Sequence, residues 1–580
     1  FAVNNMGKRN ILKEVSARFY FVGGLAVIIA SFAFGCAAAK YRVAADKEVY
    51  QILSERHEHV FGQPHNYSID TKYSKRKPTD VNGSELILDR ARGSKVRLIT
   101  LPEALEIAVK SNRSYQDNRE ELYKKALSLT ETRHNFSFQF TSASADIGIK
   151  RNSDGTQDPA TSSANIGLTK KIWKTGGQIT ASLANDLVLY INGKPKVPDL
   201  TLKLTQPLLR GAGADVAAEV LKLAERQVVY QVRDFSHYQK TFALNVVNDY
   251  LDLLQQADSM RISYNSYTNT IFFRTEIEAR ADAGLLAEYD VKQAQEDEYD
   301  AKLSYIASTN SFQNSLDNFK QELSLPQGTS IRLDFKVLEK INELGLPQVP
   351  IDDLTGYSLA ISNRLDFLNH IDRFEDAKRS VEVARNSLLP GLTFDAEAKL
   401  KDQLYDSFDP NEYDSTLKLK LDLPISKVSE RNAYRKSIIT FEKQLRTLAT
   451  QLDTLRRGVR ADVRNLARQK ALYYTQLAQQ KNAEENLLAT KERIRLNFPG
   501  VRTSDIIRAR KGLTSAQQAV SRAIVDYHKT RLKLRKDVGI LDTTQEEFWL
   551  KTDAMLGGQP GPTPDQQDQE VIPPNQILGD

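Results

Sequence analysis

The sequence predicts a mainly α-helical chain with two structural repeats, each a run of alternating β-strands followed by a long coiled-coil helical hairpin. Three observations carry this expectation. Glycine (28) and proline (19) are scarce among 580 residues, which favours long uninterrupted helices over a turn-rich all-β domain. Landmarks recur at one spacing: Asn112-Arg113, Ala126 and Asn135 return as Asn363-Arg364, Ala377 and Asn386, offset by about 251 residues. In each copy the apolar period passes from helical spacing to strict alternation and back to helical spacing.

Composition narrows the function classes. The length exceeds what one compact core holds. A mean hydropathy of −0.46 argues against a bundle of transmembrane helices, which needs repeated apolar stretches of about 20 residues. One cysteine and seven histidines build neither a disulfide framework nor a cysteine-rich zinc fold, and no cofactor is expected. The excess of 80 Lys+Arg over 74 Asp+Glu, a formal charge of +6, is too small to imply a nucleic-acid partner.

Residues 1–35 read as residues upstream of Met6 and an export signal. Lys8, Arg9, Lys13 and Arg18 precede the apolar run Phe19 to Gly35, in the order of a secretory leader. Ala33-Phe34-Gly35-Cys36 resembles a bacterial lipobox, making Cys36 the expected lipidation site. Ala37-Ala38-Ala39 offers an ordinary cleavage site instead, and an uncleaved membrane anchor is the third reading. Loss of the leader leaves a charge of about +3, so half of the apparent basicity belongs to the leader. Residues 36–98 are then a lipid-anchor and linker segment.

The first repeat spans 99–326, with strands over about 136–205. Phe136, Phe138 and Phe140 alternate with Ser137 and Gln139 before the phase shifts to Ile147 and Ile149. Ala164, Ile166 and Leu168 lead into Thr175-Gly176-Gly177, and Ile179, Ala181 and Leu183 lead out, a hairpin the second copy lacks. Leu200, Leu202 and Leu204 form the exit strand, closed by Pro207, which cannot donate to a ladder. In the second repeat, 353–541 after a linker at 327–352, the strands fall at about 391–423. Leu392, Phe394, Ala396, Ala398 and Leu400 face one way, and Asp395, Glu397 and Lys399 the other. Leu417, Leu419, Leu421 and Leu423 surround Lys418, Lys420 and Asp422 before Pro424. Asp402 to Ser415 reads as an exposed acidic loop.

About 77 residues separate Pro207 from Gly284 and about 76 separate Pro424 from Gly500, each a long helix ended by a glycine. Ile438, Phe441, Leu445, Leu448, Leu452, Leu455 and Val459 step by threes and fours, which is coiled-coil spacing. Val228, Val232, Phe235, Phe242 and Val246 keep the same rhythm in the first copy, with polar gaps. Return helices of about 37 residues follow, aligning Ala294 with Ala509 and Ala301 with Ala516. The tail, 542–580, is rich in Pro, Gln, Gly and Asp and reads as disordered.

Two-faced strands in an exported chain fit an outer-membrane β-barrel with lipid outside and water inside. So few strands cannot close a water-filled barrel alone, and an open edge cannot persist in lipid, so several copies must close it. The polar positions Asp395, Glu397, Lys399, Lys418, Lys420 and Asp422 then line the lumen. The solvated face of a soluble sheet is the alternative.

Leu101-Pro102-Glu103-Ala104-Leu105 with Asn112, Glu375 to Arg379 running through Val383-Ala384-Arg385-Asn386 to Leu388-Leu389-Pro390, and Gln206-Pro207-Leu208-Leu209-Arg210-Gly211 resemble the TolC-like outer membrane efflux protein family. Cys36-Ala37 and Tyr41-Arg42, Ala45-Asp46, Glu48 and Tyr50 resemble its lipoprotein members. The resemblance implies a homotrimeric β-barrel of four strands per protomer continued by a periplasmic α-helical barrel. It also implies a lipid-anchored place in the outer membrane, a periplasmic adaptor (membrane fusion) protein and an inner-membrane RND or ABC pump. The function implied is a passive exit duct of a tripartite efflux or type I secretion system, not an enzyme. The extra hairpin at Gly176-Gly177 departs from four strands and, inside the barrel, would widen it. The competing class is a periplasmic coiled-coil adaptor or scaffold lipoprotein, for which a single hairpin flanked by small β-domains is expected.

By the same resemblance the helix tips form the closed end and the adaptor-docking surface. They hold Asp282, Gly284, Leu285, Glu288 and Asp290, and Gly500, Arg502, Ser504 and Asp505. Three readings stay open. Ser504 or Asp505 caps the return helix; a ring of Asp505 copies gates cations; or Arg502 bridges to Asp282 or Glu288. His57, His59 and His65 invite a metal reading, but no cysteine or nearby carboxylate cluster completes a ligand set, so an incidental surface cluster is expected. Gly211-Ala212-Gly213 lacks the Lys-Ser/Thr of a phosphate loop, and no nucleophile elbow or dinucleotide fingerprint appears.

Overall fold

The structure is a computed structural model that describes residues 38–92, 97–148, 161–186, 199–400, 413–423, 425–496, 498–545 and 547–551. The leader, Cys36, most of the 402–415 loop, Pro424 and the tail past 551 lie outside the described residues. The chain divides into two units, one drawn from 1–69, 121–232 and 391–422, the other from 70–120, 233–390 and 423–580.

The elements run α1 (Ala38–Phe61), α2 (Gly83–Ala91), β1 (Arg97–Ile99), α3 (Leu101–Ser111), α4 (Arg113–His134), β2 (Gln139–Gly148), β3 (Thr161–Lys171), β4 (Gln178–Asp186), β5 (Asp199–Pro207) and α5 (Ala214–Ala217). There follow α6 (Glu219–Asp282), α7 (Glu288–Glu322), β6 (Ile331–Leu333), α8 (Lys336–Leu344), α9 (Asp353–Asn363), α10 (Leu365–Asn386), β7 (Gly391–Leu400), β8 (Asp414–Asp422), α11 (Val428–Arg495) and α12 (Thr503–Asp537). Two series of lengths stand out. α3 and α4 have 11 and 22 residues, as do α9 and α10. The later helices have 64 and 35 residues in one series, and 68 and 35 in the other.

The first unit is built on one antiparallel sheet in the order β2-β3-β4-β5-β7-β8. Its register carries the alternation across strands. Leu168 lies opposite Phe140 and Ala181, Ala181 opposite Leu202, and Leu202 opposite Ala398. Phe394 lies opposite Leu419, and Ala396 opposite Leu417. Because side chains alternate with period two, this pairing gathers most apolar positions on one face and most polar ones on the other, with Lys170, opposite Ile179 next to the β3–β4 turn, an exception on the apolar face. The phase shift expected after Phe140 is a β-bulge between Phe140 and Ser142, where one extra residue exchanges the faces. In the same unit α1 buries Val49, Ile52 and Leu53. The Tyr123 hydroxyl donates to Asp46 at 2.7 Å, and Arg56 and Arg133 share Glu225 at 3.4 and 3.2 Å.

In the second unit α3 opens with a capping box. Thr100 Oγ1 accepts from the Glu103 amide at 3.4 Å, and Glu103 Oε2 accepts from the Thr100 amide at 3.2 Å. Asn112 holds the α3–α4 joint, its Oδ1 accepting from the Tyr115 amide at 2.9 Å and its Nδ2 donating to the Glu322 carbonyl at 2.7 Å. At the α9–α10 joint Arg364 Nη2 meets Asp366 at 2.6 Å. Burial raises the Asp366 carboxyl, yet the guanidinium beside it holds it below the usual carboxylate range. One core gathers Ala360, Phe367, Leu455, Val459, Tyr527, Leu534 and Val538 from α9, α10, α11 and α12 and the residue after α12.

Three expectations are corrected in detail. The stretch 327–352 is more than a linker: β6 pairs in parallel with β1, and α8 buries Val337, Leu338 and Ile341. The long helix after Pro207 starts only at Glu219, preceded by the short α5. The described start of the tail, up to 551, is ordered, because Phe548 and Trp549 are buried and Arg531 Nη2 donates to the Trp549 carbonyl at 2.7 Å. Burying two aromatic rings gives that segment several kcal/mol, about 2–3 each.

Candidate functional site

The two helix tips and the polar face of the sheet are the candidate sites. The first tip closes α6 with Gly284 at φ +76°, a left-handed conformation that a Cβ would strain. The Gly284 amide donates to the Ala281 carbonyl at 2.8 Å and the Leu285 amide to the Arg280 carbonyl at 2.9 Å, a Schellman pair. Asp282 is the last residue of α6, while Glu288 and Asp290 lie in the first turn of α7, where negative charge meets the positive helix end. Leu285 is exposed.

The second tip has Gly500 at φ +91°. Asp505 caps α12: its Oδ2 accepts from the Arg502 amide at 3.0 Å. Ser504 makes no such cap among the described contacts, although it was an equal candidate from sequence. Arg508 Nη1 lies 3.9 Å from Asp505 Oδ1. Among the described residues no ion pair joins Arg502 to Asp282 or Glu288, so that bridge is not made within one chain. Leu496 and Phe498 are exposed beside the turn. A groove of about 540 Å³ opens between α11 and α12 here, lined by Ala483, Asn486, Thr490, Arg493, Arg508 and Gly512, among others.

One apolar cluster holds both tips: Phe273 and Ile277 of α6, Ala294 of α7, and Ile506 and Ile507 of α12. The aligned alanine Ala294 is fully buried there, and Ala509 and Ala516 are also buried. Small side chains let the helices approach closely. Sequence reasoning missed the polar seam that continues this contact. Arg510 donates to the Asn269 carbonyl and stacks 4.7 Å from the Phe273 ring; Thr514 meets Ser266 at 3.0 Å, and Gln518 meets Ser263 at 3.0 Å. Ser521 meets Asp258 at 2.7 Å, and Lys529 meets Asp252 at 2.6 Å. The polar gaps in the α6 stripe were the signal, since a buried helix face with polar positions needs partners. Lys511 reaches Asp297 at 3.4 Å and Asp300 at 2.9 Å, tying α12 to α7. Burial pushes the Asp297 carboxyl up, with Lys511 opposing.

On the sheet, Asp395, Glu397, Lys399, Lys418, Lys420 and Asp422 occupy alternate positions of β7 and β8 on the face opposite the leucines. Asp395 lies opposite Lys418, and Glu397 opposite Lys203, so unlike charges pair across strands. Thr205 donates to Asp395 at 2.7 Å, Lys399 meets Glu397 at 3.2 Å, and Arg210 meets Asp422 at 3.1 Å. Large apolar side chains on the opposite face are uncovered: Leu417 is 71% and Leu419 66% exposed, and Ile166 and Ile179 are 50% and 45% exposed. A continuous apolar face of this kind needs an apolar medium or a partner. No helix among the described residues is long and apolar enough to cross a membrane.

His57, His65, Phe61 and Tyr67 form an aromatic cluster, with His57 Nδ1 2.8 Å from the Gln63 carbonyl oxygen. Among the described residues no group of three or more His, Cys, Asp or Glu is arranged to hold a metal.

No curated protein matches the sequence. Solved structures do match the fold. The CmeC outer membrane channel of Campylobacter jejuni is 16% identical, with 83% of this chain and 94% of that chain covered at a TM-score of 0.54. VceC, an outer membrane protein of Vibrio cholerae, is 13% identical over 76% and 96% of the two chains at 0.54. The open state of the MtrE outer membrane channel of Neisseria gonorrhoeae is 12% identical over 76% and 89% at 0.52. At these identities the likeness establishes fold alone. The family model described as outer membrane efflux protein matches residues 356–539. Residues 356–539 therefore match an outer membrane efflux protein model, and the chain has the fold of the outer membrane channels it resembles.

Proposed function

We propose that the chain is the outer-membrane exit duct of a tripartite efflux or type I secretion system, a passive conduit with no catalytic centre. The observation that carries this is the uncovered apolar face of the six-stranded sheet, opposite a face of paired charges. Lipid satisfies the first and a water-filled lumen the second. The open edges β2 and β8 cannot remain unpaired in a bilayer, so copies of the chain close the sheet into a barrel, with three copies in keeping with the family. Exposed Phe272 on α6, Leu303 on α7 and Leu488 on α11 suit helices covered by neighbouring copies, which would form an α-helical barrel in the periplasm. The matching helix lengths of the two series fit a duplicated unit.

In this reading the tips are the regulated end. A periplasmic adaptor docks at Leu285, Leu496, Phe498 and the groove beside Arg493 and Arg508, and an inner-membrane pump supplies the energy. Acylated Cys36 would anchor each copy by several lipid chains, since one chain holds a membrane only marginally. The test is extraction from outer membranes as a heat-labile trimer that conducts in planar bilayers. A water-soluble monomer without conductance refutes the channel and favours the adaptor or scaffold.

A further inference from the structure

We propose that the β3–β4 hairpin is a third membrane-crossing hairpin of each copy, so that three copies close a barrel of 18 strands, six from each. The inference rests on the channel reading and adds the size and composition of its wall. Four observations support it.

First, β3 and β4 lie between β2 and β5 in one continuous sheet. Lifting the hairpin out would unpair the β2–β3 and β4–β5 ladders and leave two more open edges in lipid, where unpaired backbone groups cost several kcal/mol each, ~2–7.

Second, β3 and β4 have 11 and 9 residues, matching the 10, 9, 10 and 9 of β2, β5, β7 and β8. A tilted strand of about 9–11 residues crosses a bilayer.

Third, the hairpin shares both faces of the wall. Ile166, Leu168, Ile179, Ala181 and Leu183 register with Leu200, Leu202 and Leu204, while Thr169, Thr180 and Ser182 register with Thr201 and Lys203. Thr169 and Thr180 hydroxyls meet at 3.4 Å on the polar side.

Fourth, its turn is fastened to the base of the sheet. Gly176, at φ +79°, sits where an added Cβ would lie 2.3 Å from the Gly211 carbonyl oxygen. Gln206 Nε2 donates to the Thr175 carbonyl at 3.0 Å, and the Gly213 amide donates to the same oxygen at 3.3 Å. Trp173, half-exposed in that turn, suits the membrane–water boundary, where indole rings are enriched. Strand directions also close correctly. β2, β4 and β7 run one way and β3, β5 and β8 the other, so β8 of one copy meets β2 of the next antiparallel, like every ladder in the sheet. Barrel diameter grows about linearly with strand number, so the wall encloses ~1.5 times the diameter and roughly twice the cross-section of a 12-stranded one.

The test places single cysteines in the full chain, on β4 at Leu183→Cys and Ser182→Cys, and on β8 at Leu419→Cys and Lys418→Cys. Each is labelled with a bimane maleimide in reconstituted vesicles, with the unmodified chain as background for Cys36. Quenching by doxyl-labelled phospholipid is expected to be roughly threefold stronger at Leu183→Cys and Leu419→Cys than at their neighbours, and aqueous iodide quenching the reverse. Alternation on β8 without alternation on β4 overturns the third hairpin and leaves the channel standing. Loss of alternation on both strands overturns the channel reading itself. Electron-microscopic density of the trimer showing 18 strands supports the proposal, and 12 refutes it.

Discussion

Leu419→Arg separates a membrane wall from a soluble sheet by the sign of its effect. Leu419 is 66% exposed and lies one position past the centre of the nine-residue β8. At a rise of about 3.3 Å and a tilt near 40° it sits within ~3 Å of the bilayer midplane. Arginine on the lipid face there costs about 2–4 kcal/mol per copy, or roughly 6–12 for three copies. On a water-exposed sheet the same change stays within about ±0.5 kcal/mol and improves solubility. The companion Lys418→Gln, on the opposite face, removes only a partly screened cross-strand pair with Asp395, worth about 0.2–1 kcal/mol. The assay compares trimer recovered from outer membranes and the denaturation midpoint in vesicles for both variants. Leu419→Arg is expected to deplete the trimer severely while Lys418→Gln leaves it near the wild-type level. A Leu419→Arg chain assembling as well as the original refutes lipid contact.

Three further predictions concern named positions. Gly176→Ala strains a left-handed turn and drives a Cβ into the Gly211 carbonyl oxygen, so thermal stability of the assembled protein falls by about 1–3 kcal/mol; an unchanged melting profile contradicts the tight turn. Burial pushes the His528 imidazole down to about 4, with Arg531 adding to the effect and the hydrogen bond to the Gly345 carbonyl opposing it. Well above pH 6.5 neither state is protonated and the full stability is present. As pH falls from about 6.5 toward 4 the unfolded chain takes up a proton the native one refuses, removing up to about 3 kcal/mol. His528→Gln should flatten the stability–pH slope in that window by close to one proton, and identical slopes in chemical denaturation count against it. Asp505→Ala loses the cap on α12, about 1 kcal/mol by thermal denaturation. With Arg502→Ala it should also alter conductance and export, and the tip assignment fails if both variants conduct and export like the parent.

Much of the architecture was legible because its signals are local. Alternation in Leu392 to Leu400 and Leu417 to Leu423 gives β7 and β8 to within three residues, since a period of two has no helical reading over that length. The tips follow from Gly284 and Gly500, where helical spacing stops at residues tolerant of positive φ. Asp505 was legible as a cap, while Ser504 looked equally suitable. Three residues from Arg502, Asp505 reaches back to its amide; the choice is made by backbone geometry that composition does not encode. The polar seam on α6 was visible only as gaps. Its partners Thr514, Gln518 and Lys529 lie some 240–280 residues downstream, and no local pattern names them.

The sequence by itself determined the long helices, their glycine tips and the two-faced strands, because backbone propensity and side-chain period act over a few residues. Only the tertiary structure decided that β5 of the first series pairs with β7 of the second, that β3 and β4 lie inside that sheet, and that Phe548 and Trp549 pin the start of the tail. Partner and register are chosen among many strands of the same alternating pattern, and that choice is settled by non-local hydrogen bonding and by which faces must be covered together.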